Sequence, residues 1–145
     1  MSVKTYSNSK DGEKYVSSNF KVKEFRCKDG SDEILIDEGL VDLLQKIREY
    51  FRVPVTINSA YRTKSHNQSV GGSPKSQHVN GTAADIVVKG VSPLMVAQYA
   101  EHLGAGGVGL YKTFTHVDSR SGKSRWDLRS GRQIVVSGFG GQKQF

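Results

Sequence analysis

Three side chains in or beside apolar segments have the types and spacing that metal chemistry requires. Asp85 lies within the run Ala-Ala-Asp-Ile-Val, which is typical of a buried strand, and a buried carboxylate needs a partner or a metal ion. His116 lies in a second apolar run, and His78 precedes Asp85 by seven residues in a polar loop. Two histidines and one carboxylate can hold a zinc ion and leave its fourth position to water. Zinc in such a site lowers the pKa of that water toward about 7.

The same residues could instead form a core cluster without a metal ion. Asp85 could pair with Arg62, and His116 could pair with Asp118, because strand alternation places His116 and Asp118 on one face. The spacing alone does not decide between these two interpretations.

Apolar periodicity and capping residues predict the helices that must position these side chains. The apolar stripe over residues 38–51 predicts an amphipathic helix with Asp37 at its N-cap. Ser92 followed by Pro93 predicts the start of a second helix that runs to Leu103.

Short strands are predicted around these two helices, together with one further short helix over residues 63–70. The strands are predicted at residues 19–25, 55–58, 81–88, 108–111, 114–118 and 133–136. Their connections are too short for a doubly wound parallel sheet. We therefore predict an α+β fold with a small antiparallel sheet and two main helices.

The composition fits one domain over residues 1–145. Hydrophobic residues make up 36% of the chain, and the single cysteine cannot form an intrachain disulfide or a thiolate zinc cluster. No apolar run approaches the roughly 20 residues of a transmembrane segment. Residues 1–17 are predicted to form a flexible arm, with an edge strand over residues 1–12 as the alternative, and residues 127–145 form a basic tail.

The net charge of +7 is concentrated near the C-terminus. Residues 120–145 contain six basic residues and one acidic residue, a net charge of +5. A basic surface attracts nucleic acids and the anionic polymers of a cell wall alike. Because no recognised nucleic-acid motif is present, we expect no nucleic-acid partner and expect the tail to bind wall polymers.

A longer set of motifs resembles a known family. The motifs are SAYR at 59–62, HN at 66–67, VGG at 70–72, SQH at 76–78, GTAADI at 81–86, GVGLY at 107–111, FTHVD at 114–118 and RW at 125–126. From about residue 18 to residue 126, in one order, the chain closely resembles the zinc D-alanyl-D-alanine carboxypeptidases. These peptidoglycan peptidases include phage endolysins and bacterial wall enzymes. The resemblance implies the fold that the family shares with the Hedgehog signalling domain.

The resemblance also implies a metal site and a nearby cation. His78, Asp85 and His116 match the zinc ligands of the family, which implies one zinc ion per chain. Arg62 matches an arginine that lies near the substrate and can polarise the scissile carbonyl.

Residues beside these motifs are candidates for contact with the substrate. The resemblance implies that Ser76 and Gln77 flank the site in the loop that carries the first ligand. Tyr61 and Tyr111 could line the substrate pocket or belong to the core, and Trp126 could line the cleft or pack the tail on the sheet.

The general base is less clearly marked. Some members of the family carry it three residues before the last ligand, where this chain has Thr113, which cannot serve as a base. Asp118 lies on the same strand face as His116 and is the local candidate for a catalytic carboxylate. It could equally orient the imidazole of a ligand.

These features predict a zinc metallopeptidase that hydrolyses peptide bonds of peptidoglycan stem peptides or cross-links, as a carboxypeptidase or an endopeptidase. The alternative is a non-catalytic zinc-binding domain of the same fold that binds the cell wall. We expect a monomer that acts at the bacterial cell wall. Because no signal peptide is visible, we expect a phage or prophage product released from the cytoplasm, with a fragment of a larger wall enzyme as the alternative.

Overall fold

The computed structural model describes residues 2–141 and 145 and contains strands and helices in alternation. The strands are β1 (Val3–Ser7), β2 (Tyr15–Ser17), β3 (Phe20–Lys21), β4 (Glu33–Asp37), β5 (Val55–Ser59), β6 (Ala83–Val88), β7 (Gly107–Leu110), β8 (Thr115–Asp118), β9 (Ser124–Asp127) and β10 (Ile134–Val135). The α-helices are α1 (Asn8–Asp11), α2 (Glu38–Phe51), α3 (Lys64–Ser69) and α4 (Pro93–His102). Two 3₁₀ turns span Val22–Phe25 and Gln77–Asn80.

The central sheet has six strands in the order β10-β9-β7-β8-β6-β5. Neighbouring strands are antiparallel except β7 and β9, which run parallel. Asp85 on β6 is the register partner of His116 on β8. Directly opposed residues of an antiparallel pair lie close together, so the pairing itself brings two of the candidate ligands side by side.

The two main helices confirm the prediction of an α+β fold. Asp37 caps α2 by accepting a hydrogen bond from the backbone N–H of Leu40, and Ser92 caps α4 in the same way. α2 contacts α4 and β6, while α4 contacts β7 and β8. Their buried apolar side chains join those of the sheet in one core: Leu40, Leu44, Ile47, Ala84, Ile86, Val96, Ala97, Ala100, Val108, Leu110 and Val117.

Successive side chains of β8 point alternately toward the apolar core and toward the candidate site. Thr115 and Val117 are fully buried, and Val117 belongs to the apolar core. His116 lies between them on the opposite face of the strand, together with Asp118, as the sequence predicts.

The N-terminal residues form part of the fold, which corrects the prediction of a flexible arm over residues 1–17. β1 pairs antiparallel with β4 along its whole length, and the backbone N–H of Asn8 donates to the carbonyl of Asp32. The alternative of an edge strand describes residues 3–7 correctly. The sequence favours an arm because the exposed face of β1 is polar and its partner β4 follows a charged turn.

The basic tail also returns to the body of the molecule. β10 pairs with β9, and the Glu101 carboxylate on α4 accepts hydrogen bonds from the backbone N–H groups of Phe139 and Gly141. Lys143 lies outside the described residues. None of the helices in the described part of the chain is both long and apolar enough to cross a bilayer.

Candidate metal centre and cleft

The three candidate ligands line a cleft of about 490 Å³. Its walls come from the loop before β6, from β6 and β8, and from β9 and the segment after it. Side chains that line it include Arg62, Lys75, Ser76, Gln77, His78, Asp85, Tyr111, His116, Arg120 and Trp126.

The three candidate ligands meet at the Asp85 carboxylate. Asp85 Oδ1 lies 3.0 Å from His116 Nδ1 and 3.3 Å from His78 Nε2. The ligand atoms of the three residues all lie within 4.8 Å of one another, and all three residues are buried. This group of side chains is able to hold a metal ion.

Hydrogen bonds to the other ring nitrogens fix which atoms face the group. His78 Nδ1 lies 2.7 Å from the carbonyl oxygen of Ala60, which can only accept, so Nδ1 carries the proton. His116 Nε2 donates to Asp118 Oδ2 at 2.7 Å. Each histidine therefore turns its second ring nitrogen toward Asp85, where that nitrogen can hold either a proton or a metal ion. Two imidazole nitrogens and a carboxylate that converge in a buried site repel one another unless a proton or a metal ion lies between them, so the donor set fits a divalent metal ion.

The ionisation of the group follows from the same contacts. Burial opposes the charge of Asp85, but hydrogen bonds from His116 and His78 hold the pKa of that carboxyl well below its usual range. Burial also opposes a charge on His116, while hydrogen bonds to Asp118 and Asp85 raise the pKa of its imidazole. Protons and a metal ion therefore compete for the same nitrogen.

Asp118 is fully buried behind His116 and does not line the cleft. Its Oδ1 accepts hydrogen bonds from the Gly107 backbone N–H at 2.8 Å and from Arg120 Nε at 2.9 Å. Its Oδ2 accepts from Arg120 Nη2 and from His116, each at 2.7 Å. Burial opposes ionisation, yet these donors hold the pKa of Asp118 well below its usual range. This geometry suits a residue that orients the imidazole.

Arg62 reaches the cleft and is held there by polar partners. Its Nε donates to Ser59 Oγ at 3.1 Å and its Nη1 to Asn67 Oδ1 at 3.2 Å. Its Nη2 lies 3.7 Å from Asp85 Oδ2. Both pairings of the metal-free interpretation, Arg62 with Asp85 and His116 with Asp118, are thus present around the convergent ligand atoms.

The other predicted site residues divide between the cleft and the core. Ser76 and Gln77 line the cleft, and Ser76 Oγ accepts a hydrogen bond from the His78 backbone N–H. Tyr61 packs in the apolar core and is not among the residues that line the cleft, and its backbone N–H donates to the Phe25 carbonyl. The prediction of Tyr61 as a substrate contact is therefore corrected.

Two cleft residues have larger roles than the sequence indicated. Arg120, which the sequence places only among the basic residues of 120–145, pairs with Asp118, and its position two residues after Asp118 is the available signal. Trp126 lines the cleft, its ring lies 4.9 Å from that of His116, and its Nε1 donates to the Tyr111 hydroxyl at 3.1 Å. Tyr111 therefore belongs to the cleft rather than to the core.

A second group of possible ligand atoms, from Cys27, Asp29 and His66, also lies within 4.8 Å. Here the Thr63 hydroxyl donates to Asp29 Oδ2 at 2.8 Å and the Thr63 backbone N–H donates to the buried Cys27 thiol at 3.5 Å. Thr63 is the N-cap of α3. The group therefore surrounds the N-cap of α3, and these contacts account for it without a metal ion.

Comparison with known proteins identifies relatives of the chain. The peptidoglycan L,D-endopeptidase MepK of Escherichia coli K12 is 34% identical over 93 residues, which cover 58% of this chain and 51% of that protein. The probable peptidoglycan L,D-endopeptidase MepK of Haemophilus influenzae is 39% identical over 72 residues, or 45% of this chain and 39% of that protein. The chain spans about half the length of the curated relatives it matches, or less.

The peptidase M15 family model matches residues 14–118, a segment that contains all three candidate ligands. Peptidases of this family depend on a metal ion, which agrees with the convergent donor set of the cleft. The resemblance to the zinc D-alanyl-D-alanine carboxypeptidases is thereby confirmed, and the chain belongs to the peptidase M15 family.

Proposed function

We propose that this chain is a zinc-dependent peptidase that hydrolyses peptide bonds of peptidoglycan. The observation that carries the proposal is the convergence of three lone-pair donors, from His78, Asp85 and His116, in an open cleft. Two neutral imidazoles and one carboxylate suit zinc and leave a position open. The names of the relatives, which are peptidoglycan L,D-endopeptidases, support the substrate class and favour an endopeptidase over a carboxypeptidase.

Zinc bound by these three side chains would polarise a peptide carbonyl and lower the pKa of a water molecule. The protein contributes orientation. The Ala60 carbonyl holds His78 through Nδ1, and Asp118 holds His116 through Nε2, so both rings keep a single direction toward the cleft. Fixed ligands of this kind need no rearrangement when a substrate arrives.

Arg62 is proposed to bind the oxygen of the scissile carbonyl and to stabilise the negative charge that develops on it. Its side chain is already directed into the cleft by Ser59 and Asn67. Ser76 and Gln77 are proposed to contact the peptide on the neighbouring wall.

Asp118 is proposed to orient His116 rather than to act as the general base. Its complete burial and the five hydrogen bonds that it accepts from described residues support this role. A base must reach the proton that it removes, and Asp118 does not line the cleft.

A second candidate function is a non-catalytic zinc-binding domain that binds the cell wall. One observation favours it: among the described residues that line the cleft, Asp85 is the only carboxylate. Position 113, where some members of the family carry the base, is a threonine.

Incubation of the purified, zinc-loaded protein with peptidoglycan separates the two candidates. Mass spectrometry of the released fragments identifies the bond that is cut, and chelation followed by zinc addition should remove and restore the activity. Cleavage within a stem peptide or cross-link establishes an endopeptidase, and loss of a terminal residue establishes a carboxypeptidase. Binding without any cleavage would favour the non-catalytic domain.

A further inference from the structure

Tyr111 follows β7 and is held rigidly at the wall of the cleft. Its ring stacks on that of Phe114 with centroids 4.2 Å apart and an interplanar angle of 14°. Its backbone N–H donates to the Phe114 carbonyl at 3.1 Å. Stacking and backbone pairing together fix where the phenol ring points.

Among the described residues, the hydroxyl of Tyr111 has one hydrogen-bond partner, and that partner can only donate. Trp126 Nε1 gives its hydrogen to the Tyr111 oxygen at 3.1 Å, and an indole nitrogen has no acceptor capacity. The hydroxyl hydrogen of Tyr111 is therefore left for a different acceptor. Within the part of the chain that the structure describes, no hydrogen bond uses it.

The Trp126 indole that sets this direction is itself fixed. A Cβ atom at Gly109 would overlap the indole, so the ring lies directly over that glycine on β7. The same indole lies 4.9 Å from the His116 ring and 5.6 Å from the Arg120 guanidinium. One indole therefore contacts both a candidate ligand and the Tyr111 hydroxyl, which places the hydroxyl beside the ligand group.

The phenol keeps its proton at neutral pH. Burial raises the pKa of Tyr111 above its ordinary value, and the negative charge of Asp85 raises it further, although the hydrogen bond from Trp126 opposes the shift. Tyr111 is thus a neutral hydrogen-bond donor whose oxygen is held in place.

We propose that Tyr111 donates its hydroxyl hydrogen to the carbonyl oxygen of the peptide bond that is cleaved. The inference rests on the proposed peptidase function and assigns that reaction a second oxygen-binding group beside Arg62. The hydrogen bond strengthens as negative charge develops on the oxygen, so it contributes more to the transition state than to substrate binding.

The test is the variant Tyr111→Phe, which keeps the ring and its stacking on Phe114. With a soluble stem peptide as substrate, kcat should fall by roughly 10²- to 10³-fold while KM changes little. Zinc content and melting temperature should match those of the wild type. The matched control is Tyr15→Phe, which removes the hydroxyl of an exposed tyrosine outside the cleft and should leave kcat unchanged.

A binding measurement separates this role from that of a simple wall residue. A phosphinate analogue of the stem peptide, which places a charged oxygen where the carbonyl oxygen would be, should bind the variant more weakly by a similar factor. The cleavage product should bind both proteins equally. A wild-type kcat in Tyr111→Phe, or a loss confined to KM, overturns the assignment and leaves the peptidase proposal standing. A wild-type protein that cleaves no stem peptide overturns both.

Discussion

Each candidate histidine gives one ring nitrogen to the protein and keeps the other for the cleft. His78 uses a backbone carbonyl and His116 uses Asp118 for this purpose. The ligand types could be predicted from the sequence because a carboxylate within an apolar strand needs a partner. The burial of Tyr61 could not, because an aromatic side chain at the end of a strand packs equally well against core or cleft.

His116→Ala is expected to abolish zinc binding, because it removes one of three ligands and leaves Asp118 without its imidazole partner. Elemental analysis of the purified variant measures the zinc content. His102→Ala is the control: His102 is exposed on α4, away from the cleft, and the variant should retain about one zinc ion per chain, as expected for the wild type. A zinc-loaded His116→Ala protein would show that other residues bind the metal ion.

Asp118→Asn is expected to weaken zinc binding by about 10- to 100-fold, because the amide no longer fixes the proton on His116 Nε2 as a carboxylate does. Competition with a chromogenic chelator measures the affinity. If Asp118 is instead the general base, the affinity should stay constant while kcat falls by roughly 10²- to 10⁴-fold.

Local signals predict the elements of this fold unequally well. α2 and α4 could be predicted because apolar periodicity and an N-cap residue coincide in each. β4 and β9 could not, because the pairing partner of each is distant or unusual, and the sequence leaves β1 open between a flexible arm and an edge strand. β9 is a clear example. It pairs in parallel with β7 rather than with β8, the strand before it in the chain, and no local sequence signal indicates that pairing.

Deletion of residues 2–7 tests whether β1 is structural. The deletion leaves β4 unpaired, because β1 and β4 form a two-stranded sheet of their own. We expect the melting temperature to fall by several degrees, since roughly 2–4 °C is lost for each kcal/mol in a domain of this size. Lys4→Gln removes only the exposed ion pair with Glu38 and should have little effect. An unchanged melting temperature in the deletion variant would instead support the prediction of a flexible arm.

Several of the basic side chains near the C-terminus form ion pairs within the protein and are therefore less available to bind a polyanion than the net charge indicates. Arg120, Arg125 and Arg129 form ion pairs with Asp118, Glu101 and Asp127 respectively. The Arg125 pair is buried between β9 and α4, where it joins the strand to the helix. Much of the basic character near the C-terminus therefore serves the fold, and a smaller set of cations remains for any polyanion.

Arg132→Gln combined with Lys143→Gln is expected to reduce sedimentation of the protein with intact cell walls, and the difference from wild type should shrink as salt is added. Cleavage of a small soluble stem peptide should stay unchanged, because that substrate needs no docking surface. The charge-matched control replaces the exposed Lys10 and Lys46 by Gln. Equal loss of wall binding in both double variants would show that net charge alone matters.

The contact between Gly109 and Trp126 links two positions that are seventeen residues apart in the chain. Because the indole occupies the space of a missing Cβ, neither residue can change size independently. The residues at the two positions are therefore expected to covary during evolution. A lineage that acquires a side chain at position 109 would first have to give up the indole, and with it the partner that directs the Tyr111 hydroxyl.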